Sequence, residues 1–323
     1  MKKNRVVIVG GGPAGMAAAL AASKEGAQVL LIDRNSYLGG ILNQCIHDGF
    51  GLIRFNNSFT GPEYAGVFIS QIDKDKNIEI MLNTMITQVT QKKRIYGISR
   101  NGFFSEDAGS IIFATGCRER TRGAIGIPGT RPSGIYTAGL AQYLMNICNI
   151  SIGKKVVILG SGDVGLIMAR RLVLSGIEIV CVLEKLSYCS GLPRNRYLCL
   201  DDFNIPLYLR QTITCVYGSK RIERVKVSAV NENGIPLPGT EYEIQCDTLI
   251  LSVGLIPENE VICQLNVDFL PEADNIIVNH NLETSVKGIY LCGNSLHVND
   301  LVDNVSNEGD IAGKCAAMYA LSL

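Results

Sequence analysis

The sequence has no excess of positive or negative charge, because its 30 lysines and arginines balance its 30 aspartates and glutamates. A neutral chain has no long-range attraction to nucleic acid or to an anionic membrane surface, so neither is expected as a partner. No apolar run reaches the ~18 residues needed to cross a bilayer, and the glycines at positions 10–12 interrupt the run near the N-terminus. We therefore expect neither a membrane span nor a signal peptide.

Patterned cysteine and histidine are also missing. The chain has eleven cysteines and three histidines, but no CxxC pair and no Cys/His cluster with the spacing of zinc ligands. Scattered thiols of this kind predict a reducing, cytoplasmic location and no metal site. What the sequence has in quantity is glycine: 34 residues without a collagen-like period, in a chain of 323 residues that is long enough for two domains.

The first glycine-rich motif follows an apolar strand, Arg5–Val9, and precedes an alanine-rich helix that begins with a proline. Gly10 permits a tight turn, Gly12 lets the backbone approach a diphosphate, and Gly15 lets the helix pack close to the sheet. The next strand ends at Asp33, whose carboxylate is placed to bind a ribose. The motif predicts a dinucleotide site with the diphosphate at the helix N-terminus.

A second motif of the same kind lies about 150 residues later, since glycines 160, 162 and 165 again separate a strand from a helix. The following strand ends at Glu184. A carboxylate there accepts ribose hydroxyls and repels the 2′-phosphate of NADP, and only Lys185 follows to compensate. Two motifs predict two dinucleotide sites, and the second favours NADH over NADPH.

Three further motifs carry a family resemblance: Ile111–Gly116, Thr248–Gly254 and Gly288–Asn294. With the two glycine motifs they resemble flavoproteins with two dinucleotide-binding domains, in the pyridine nucleotide-disulfide oxidoreductase superfamily. The resemblance implies an α/β fold of two Rossmann-like domains, the first binding FAD and the second a nicotinamide cofactor. It implies a discontinuous FAD domain, residues 1–116 and 247–323, with an NAD(P)H domain, residues 117–246, inserted in it.

A narrower resemblance rests on shorter segments: Gly39–Gly51 (GGILNQCIHDGFG), Thr60–Tyr64, Gly116–Arg120, Leu200–Phe203 and Leu296–Asp303. They are similar to NAD/FAD-dependent oxidoreductases associated with anaerobic glycerol-3-phosphate dehydrogenase, and to FAD subunits of opine, sarcosine and cyanide-forming amine dehydrogenases. This resemblance implies hydride transfer between NADH and bound flavin, with electrons exchanged with a partner dehydrogenase or a small organic substrate. A homodimer is a further expectation.

The family resemblance also implies roles for individual residues. The FAD residues are Gly10, Gly12, Pro13, Ala14, Gly15, Asp33, Arg34, Gly40, Ala114, Thr115, Gly116, Gly293, Asn294, Asp303 and Asn304. The NAD residues are Gly160, Gly162, Asp163, Val164, Gly165, Glu184 and Gly254. At Asn294 the family usually has an aspartate that binds the ribitol chain. The final helix, roughly residues 306–320, is expected to begin under the flavin pyrimidine, where its positive end would stabilise the reduced flavin.

Catalytic residues are harder to assign, because the cofactors themselves carry hydride transfer. Cys45 is alone where flavin disulfide reductases often have two cysteines; it is a single redox thiol, a wall of the flavin pocket or an ordinary core residue. His47 and His297 are candidate proton donors. Two alternatives to the leading function stay open. One is a thioredoxin-reductase-like disulfide reductase that uses Cys45 or a non-local thiol pair, and the other is a non-catalytic flavin-binding subunit or redox sensor.

Overall fold

The computed structural model describes residues 5–270 and 275–323. In this part of the chain the α-helices are, in order, α1 (Pro13–Lys24), α2 (Gly61–Ile72), α3 (Arg122–Ile125), α4 (Ala138–Asn146), α5 (Asp163–Val173), α6 (Pro193–Cys199) and α7 (Val302–Leu321). The strands are β1 (Arg5–Val9), β2 (Gln28–Ile32), β3 (Asp48–Phe50), β4 (Phe59–Thr60), β5 (Ile78–Met81), β6 (Met85–Val89), β7 (Arg94–Ser99), β8 (Gly102–Asp107), β9 (Ser110–Phe113), β10 (Cys117–Glu119), β11 (Ile135–Thr137), β12 (Lys155–Leu159), β13 (Glu178–Glu184), β14 (Leu207–Leu209), β15 (Gln211–Gly218), β16 (Ile222–Ala229), β17 (Tyr242–Gln245), β18 (Thr248–Leu251), β19 (Leu255–Pro257) and β20 (Ile289–Leu291).

The described residues divide into two compact units. Unit 1 runs up to Arg118 and resumes at Pro257, and unit 2 is Glu119–Ile256. The chain passes between the units in β10 and β19, two short strands that pair with each other. The sequence predicts the return to the first domain at Asp247, about ten residues earlier. The difference arises because β18 pairs with β11 and β12 and therefore belongs to the sheet of unit 2.

Unit 1 has three layers built on a parallel five-stranded sheet in the order β20-β9-β1-β2-β5. Its central strands β1 and β9 are buried along their whole length and are apolar after their first residues, Arg5 and Ser110, as expected for parallel strands that are covered on both faces. Val6 and Ile8 face α1, α2 and α7, whereas Val7 and Val9 face the antiparallel strands β6–β8. Residues 78–113 contribute to two sheets of unit 1: β6–β8 form an antiparallel meander, whereas β5 and β9 join the parallel sheet.

Unit 2 repeats this plan with a parallel sheet in the order β11-β18-β12-β13-β14. On one face Val156 and Ile158 pack with α4 and α5, and on the other Val157 and Leu159 pack with the antiparallel strands β15 and β16. In each unit a glycine-rich turn joins the middle strand, β1 or β12, to the helix that follows it. The two Rossmann-like units predicted from the sequence are confirmed.

Candidate functional site

The glycine turn of unit 1 is held in one conformation by close packing. Gly10 has a φ of +110° and lies against the Ala114 carbonyl, and Gly15 lies against the carbonyl of Gly10, so a side chain at either position would collide with backbone. Gly12 differs, because a methyl group added there would meet nothing within 4 Å. Gly12 is also the N-cap of α1 and supplies no side-chain cap. The turn therefore leaves open space directly in front of the positive end of a helix.

Asp33 closes this turn from the end of β2. The residue is only 7% exposed, and its carboxylate accepts hydrogen bonds from the Gly11 amide at 2.6 Å and from the Asn35 amide at 2.7 Å. The two bonds go to different oxygens, so each oxygen keeps a lone pair for a ribose hydroxyl. The loop that follows also reaches the turn, since Gly40 lies beside the Cα of Gly12. Arg34, by contrast, is exposed.

The carboxyl ends of β1, β9 and β20 lie side by side, so three predicted segments meet at one edge of the sheet of unit 1. These segments are residues 10–15, 114–116 and 293–294. Glu308, on α7, fixes the last segment by accepting the Gly293 amide at 2.7 Å. The Oδ1 atom of Asn294 accepts the Asn299 amide at 3.0 Å. The side-chain oxygen of Asn294 is therefore used within its own loop, and the other end of this side chain is an amide nitrogen, which can only donate.

A buried acid, Asp303, lies in the first turn of α7. Asp303 is 3% exposed, and its Oδ2 accepts the Ile53 amide at 3.3 Å. Its Oδ1 is buried and has no hydrogen-bond partner among the described residues. The first turn of α7 also contains Asn304, and the helix begins at Val302, four residues before the predicted start. A buried acceptor without a donor is costly unless a ligand supplies one.

These features fit FAD. The open face at Gly12 and the uncapped start of α1 suit a diphosphate, Asp33 suits a ribose, and the unpartnered oxygen of Asp303 suits a ligand with an N–H or O–H donor. They lie on separate segments that the fold of unit 1 collects. The sequence pattern located the first two features, and the state of the Asp303 oxygens required the structure.

The structure places the three candidate catalytic residues in different surroundings. Burial raises the pKa of the Cys45 thiol to about 12, and this thiol donates to the Ile41 carbonyl at 3.3 Å. Cys45 therefore stays protonated near neutral pH, and a protonated thiol is a poor nucleophile. His47 is half-buried and its ring lies 5.1 Å from that of Phe50. The side chain of His297 is 54% exposed, with Nε2 at 3.2 Å from Oε1 of Glu308.

The glycine turn of unit 2 is completed by hydroxyl groups that the sequence analysis did not single out. Gly160 has a φ of +98°, and the Gly165 amide donates to the Ser252 hydroxyl at 3.1 Å. Glu184 is 5% exposed and accepts the amide and the hydroxyl of Ser161 as well as the Leu186 amide at 2.9 Å. Ser161 lies inside the glycine motif, so its contact with the acid at the end of the next strand could have been predicted from the sequence.

The loop after β13 folds back onto the same turn. The Ser190 and Gly191 amides both donate to Ser161, each at 2.9 Å. Asp163, the first residue of α5, accepts the Leu192 amide at 2.8 Å and the Asn195 side-chain amide at 2.7 Å. Of the other predicted NAD residues, Val164 is 38% exposed, and the Gly254 carbonyl accepts the Arg120 amide at 3.0 Å. Unit 2 thus presents a nucleotide-type turn whose covering loop is hydrogen-bonded in place.

The described residues contain neither a cluster of metal ligands nor a membrane-spanning helix. In residues 5–270 and 275–323 no group of three or more His, Cys, Asp or Glu side chains is arranged to hold a metal ion. Over the same ranges, no helix combines the length and the apolar character that crossing a membrane requires.

Comparison with known proteins gives relatives over almost the whole chain. An opine oxidase subunit of Agrobacterium tumefaciens is 25% identical over 98% of this chain and 65% of its own length. Hydrogen cyanide synthase subunit HcnB of Pseudomonas protegens is 26% identical over 81% of this chain and 59% of its own. The chain therefore spans less than two thirds of the length of these relatives.

Solved structures show the same fold at low identity. Thioredoxin reductase of T. acidophilum superposes with a TM-score of 0.77 at 23% identity, covering 98% of both chains. Thioredoxin reductase of Lactococcus lactis gives 0.79 at 21% identity, covering 99% of both. A sequence profile described as pyridine nucleotide-disulphide oxidoreductase matches residues 4–309. The chain therefore belongs to the pyridine nucleotide-disulphide oxidoreductase family, whose members are FAD- and NAD(P)-dependent oxidoreductases.

Proposed function

We propose that the chain transfers hydride between NADH bound to unit 2 and FAD bound to unit 1. One observation carries the proposal: each unit contains a strand, a glycine turn and a helix, with a buried carboxylate hydrogen-bonded to the turn. A single such turn is weak support for a dinucleotide, but two of them, each completed by an acid at the end of the next strand, are a specific pattern.

In this proposal the chain binds and orients, and the cofactor supplies the redox chemistry. FAD, when bound, accepts two electrons from a nicotinamide and passes them on. The open face at Gly12 and the N-terminus of α1 hold the diphosphate, and Asp33 binds a ribose. Segments 114–116 and 293–294 complete the edge of the FAD site. Cys45 is a wall residue of this site, because it directly follows the turn Gly40–Gln44, whose first residue lies beside Gly12. Burial raises the pKa of its thiol to about 12, which disfavours a redox role.

We propose NADH as the nicotinamide cofactor because of the groups around Glu184. A carboxylate at the end of β13 repels a 2′-phosphate, and no arginine follows it directly. The neighbouring Lys185 side chain lies beside Gly234, on the loop between β16 and β17. It is thus held at another loop, which leaves Glu184 to set the preference.

The partner is proposed from the relatives' names. The opine oxidase and hydrogen cyanide synthase relatives are both named as subunits of their enzymes. We therefore place this chain beside a partner dehydrogenase, or in contact with a small organic substrate, as the other end of the electron path. A homodimer remains the proposed self-association. The described residues include all eleven cysteines and none of these forms a disulfide, which suits the cytoplasm as the compartment.

An anaerobic titration tests this function. The purified protein is reconstituted with FAD and titrated with NADH, while the absorbance of the oxidised flavin is followed. We expect flavin to be taken up and fully reduced by about one equivalent of NADH per flavin, with NADPH less effective, because one hydride carries the two electrons that a flavin accepts.

Three other outcomes would contradict the proposal in distinguishable ways. Uptake of four electrons per flavin would indicate a redox-active thiol pair and favour a disulfide reductase. Bound flavin that stays oxidised under excess NADH would favour a non-catalytic flavin carrier or redox sensor. Failure to bind FAD at all would remove the basis of the assignment.

A further inference from the structure

The N-terminus of α7 carries an acid where a helix end alone would present only positive charge. α7 is twenty residues long and begins after Leu301, which provides no side-chain cap. The aligned peptide groups of such a helix place a partial positive charge at its start. Asp303 lies in this first turn and is 3% exposed. A buried carboxylate at this position counteracts the field that the helix creates.

The two oxygens of Asp303 are in different states. Oδ2 accepts the Ile53 amide at 3.3 Å, whereas Oδ1 is buried without a partner among the described residues. The nearby cation, Arg54, is occupied elsewhere, since it pairs with Asp310 at 2.7 Å and donates to Asn307 at 3.1 Å. The remaining acceptor capacity of Asp303 is therefore available to a donor that residues 5–270 and 275–323 do not provide.

Few chemical groups can serve as the donor to Oδ1. A carboxylate oxygen needs an N–H or O–H group, and the oxidised isoalloxazine ring offers a single N–H, on its pyrimidine, among several acceptors. We propose that Oδ1 of Asp303 accepts this N–H, and that the Asp303 carboxylate lowers the reduction potential of the bound flavin. The potential falls because added electrons make the ring more negative next to a fixed negative charge. This inference rests on the proposed binding of FAD to unit 1.

Asp303 changes the electrostatics that the family resemblance implies for the start of the final helix. There, the positive end of the final helix stabilises the reduced flavin. Here, Asp303 opposes that stabilisation from within the first turn of the same helix. The bound flavin then becomes a stronger reductant than a bare helix end would make it, which suits a cofactor that passes electrons onward.

The test replaces Asp303 by asparagine. Asp303→Asn keeps an oxygen that can accept the Ile53 amide, so the loop contact survives while the charge is lost. The matched control is Asp310→Asn, which removes one negative charge from a more exposed site two turns further along α7. Both variants and the wild type are reconstituted with FAD, and the midpoint potential is measured anaerobically against a reference dye.

We expect Asp303→Asn to shift the reduction equilibrium of the flavin at least tenfold toward the reduced form, which is about 30 mV for a two-electron couple. Asp310→Asn should stay within about threefold of the wild type, since its charge lies further along the helix and is more exposed to water. Equal shifts in both variants, or none in Asp303→Asn, would overturn the inference.

A second readout reports on the hydrogen bond itself. A carboxylate that accepts the pyrimidine N–H disfavours its deprotonation, so the pKa of this N–H in the oxidised flavin is raised. Titrating the absorbance of the bound flavin with base should give a pKa at least one unit lower in Asp303→Asn than in the wild type. An unchanged pKa would mean that Asp303 does not contact the ring.

A second variant and the FAD uptake of the wild type distinguish failure of the inference from failure of the proposed function. If Asp303→Asn is isolated without flavin, Asp303→Ser, which keeps a neutral acceptor oxygen, is reconstituted and measured in the same two ways. If the wild type takes up no FAD, the proposed function fails. If the wild type binds FAD and the variants match it in both readouts, only the inference about Asp303 fails.

Discussion

At the scale of the residue, the two units use buried carboxylates in related but unequal ways. Asp33 gives one oxygen to the Gly11 amide and the other to the Asn35 amide. Glu184 concentrates its bonds on Oε2, which accepts the amide and hydroxyl of Ser161 and the Ser190 hydroxyl at 3.3 Å. The Oε1 atom of Glu184 is thus the oxygen that is less used, with only the Leu186 amide bonded to it.

The charge of Glu184 leads to a prediction about cofactor choice. Glu184→Gln keeps an acceptor for the buried Ser161 amide but removes the repulsion of a 2′-phosphate. We expect the ratio of kcat/KM for NADPH to that for NADH to rise about tenfold, which corresponds to about 1.4 kcal/mol. The two kcat/KM values are measured from the steady-state reduction of an artificial dye with NADH and with NADPH.

The matched control for this prediction is Glu178→Gln, at the exposed start of the same strand, β13. It removes an equal charge far from the glycine turn and should leave the ratio unchanged. A ratio that stays constant in Glu184→Gln would show that cofactor preference is set by another group.

At the scale of the element, the contact between α1 and α7 depends on glycines. Gly309 lies against the Ala14 carbonyl, and Gly313, one turn later, lies against Ala18. Both glycines are buried, and the facing surface of α1 is alanine. The absence of side chains lets the two helix backbones approach closely. This packing fixes the start of α7, and with it Asp303, relative to the glycine turn before α1.

We predict that Gly313→Ala destabilises the protein although alanine favours helices. The added methyl would overlap the backbone of Ala18, and overpacking of this kind costs about 1–3 kcal/mol. Urea unfolding of the flavin-free protein measures the change. The control is Gly66→Ala on α2, where a methyl meets nothing within 4 Å, and this substitution should stabilise by about 0.5–1 kcal/mol. Equal effects at both positions would contradict the packing argument.

Elements differ in how far the sequence determined them. The strand Arg5–Val9 was predicted from an apolar run that ends at a glycine, and β1 has these bounds. The strands that lead to Asp33 and Gly160 likewise end directly before those residues. The start of α7 was predicted four residues too late, because Val302 and Asp303 resemble loop residues until the buried position of Asp303 is known. β18 lies in unit 2, whereas the predicted boundary at Asp247 puts it in the first domain, because an apolar strand of four residues fits either parallel sheet.

Some residues of the candidate site were predictable from the sequence and others were not. The glycines and the two strand-end acids are local signals, since each lies at a fixed distance from a turn. The roles of Glu308 and Ser190 could not be predicted in this way, because each side chain reaches its partner only after distant segments have come together. The raised pKa of Cys45 likewise depends on burial that the surrounding loop sequence does not reveal.

At the scale of the whole molecule, the two units have the same layered plan but different chain paths. Unit 2 is continuous in sequence, whereas unit 1 is assembled from two separate stretches. The proposal assigns FAD to unit 1 and NADH to unit 2. This assignment is a statement about location, so it can be tested without measuring any reaction.

We predict that each cofactor protects its own unit from hydrogen exchange. FAD should slow exchange at residues 10–15, 114–116 and 293–304, because bound ligand stabilises the segments that hold it. An unreactive NADH analogue should slow exchange at residues 160–165 and 184–192. Amide exchange followed by mass spectrometry measures both, with strands β6–β8 as an internal control that should not respond. Protection by FAD confined to unit 2 would reverse the assignment.

The discontinuity of unit 1 also determines when this unit can be completed during synthesis. β20 and α7, which flank the glycine turn, are encoded after the whole of unit 2. On the ribosome, Glu119–Ile256 is therefore finished and free to fold while the earlier stretch still lacks its last strand and helix. With FAD assigned to unit 1, as proposed, flavin capture becomes a late event in biosynthesis.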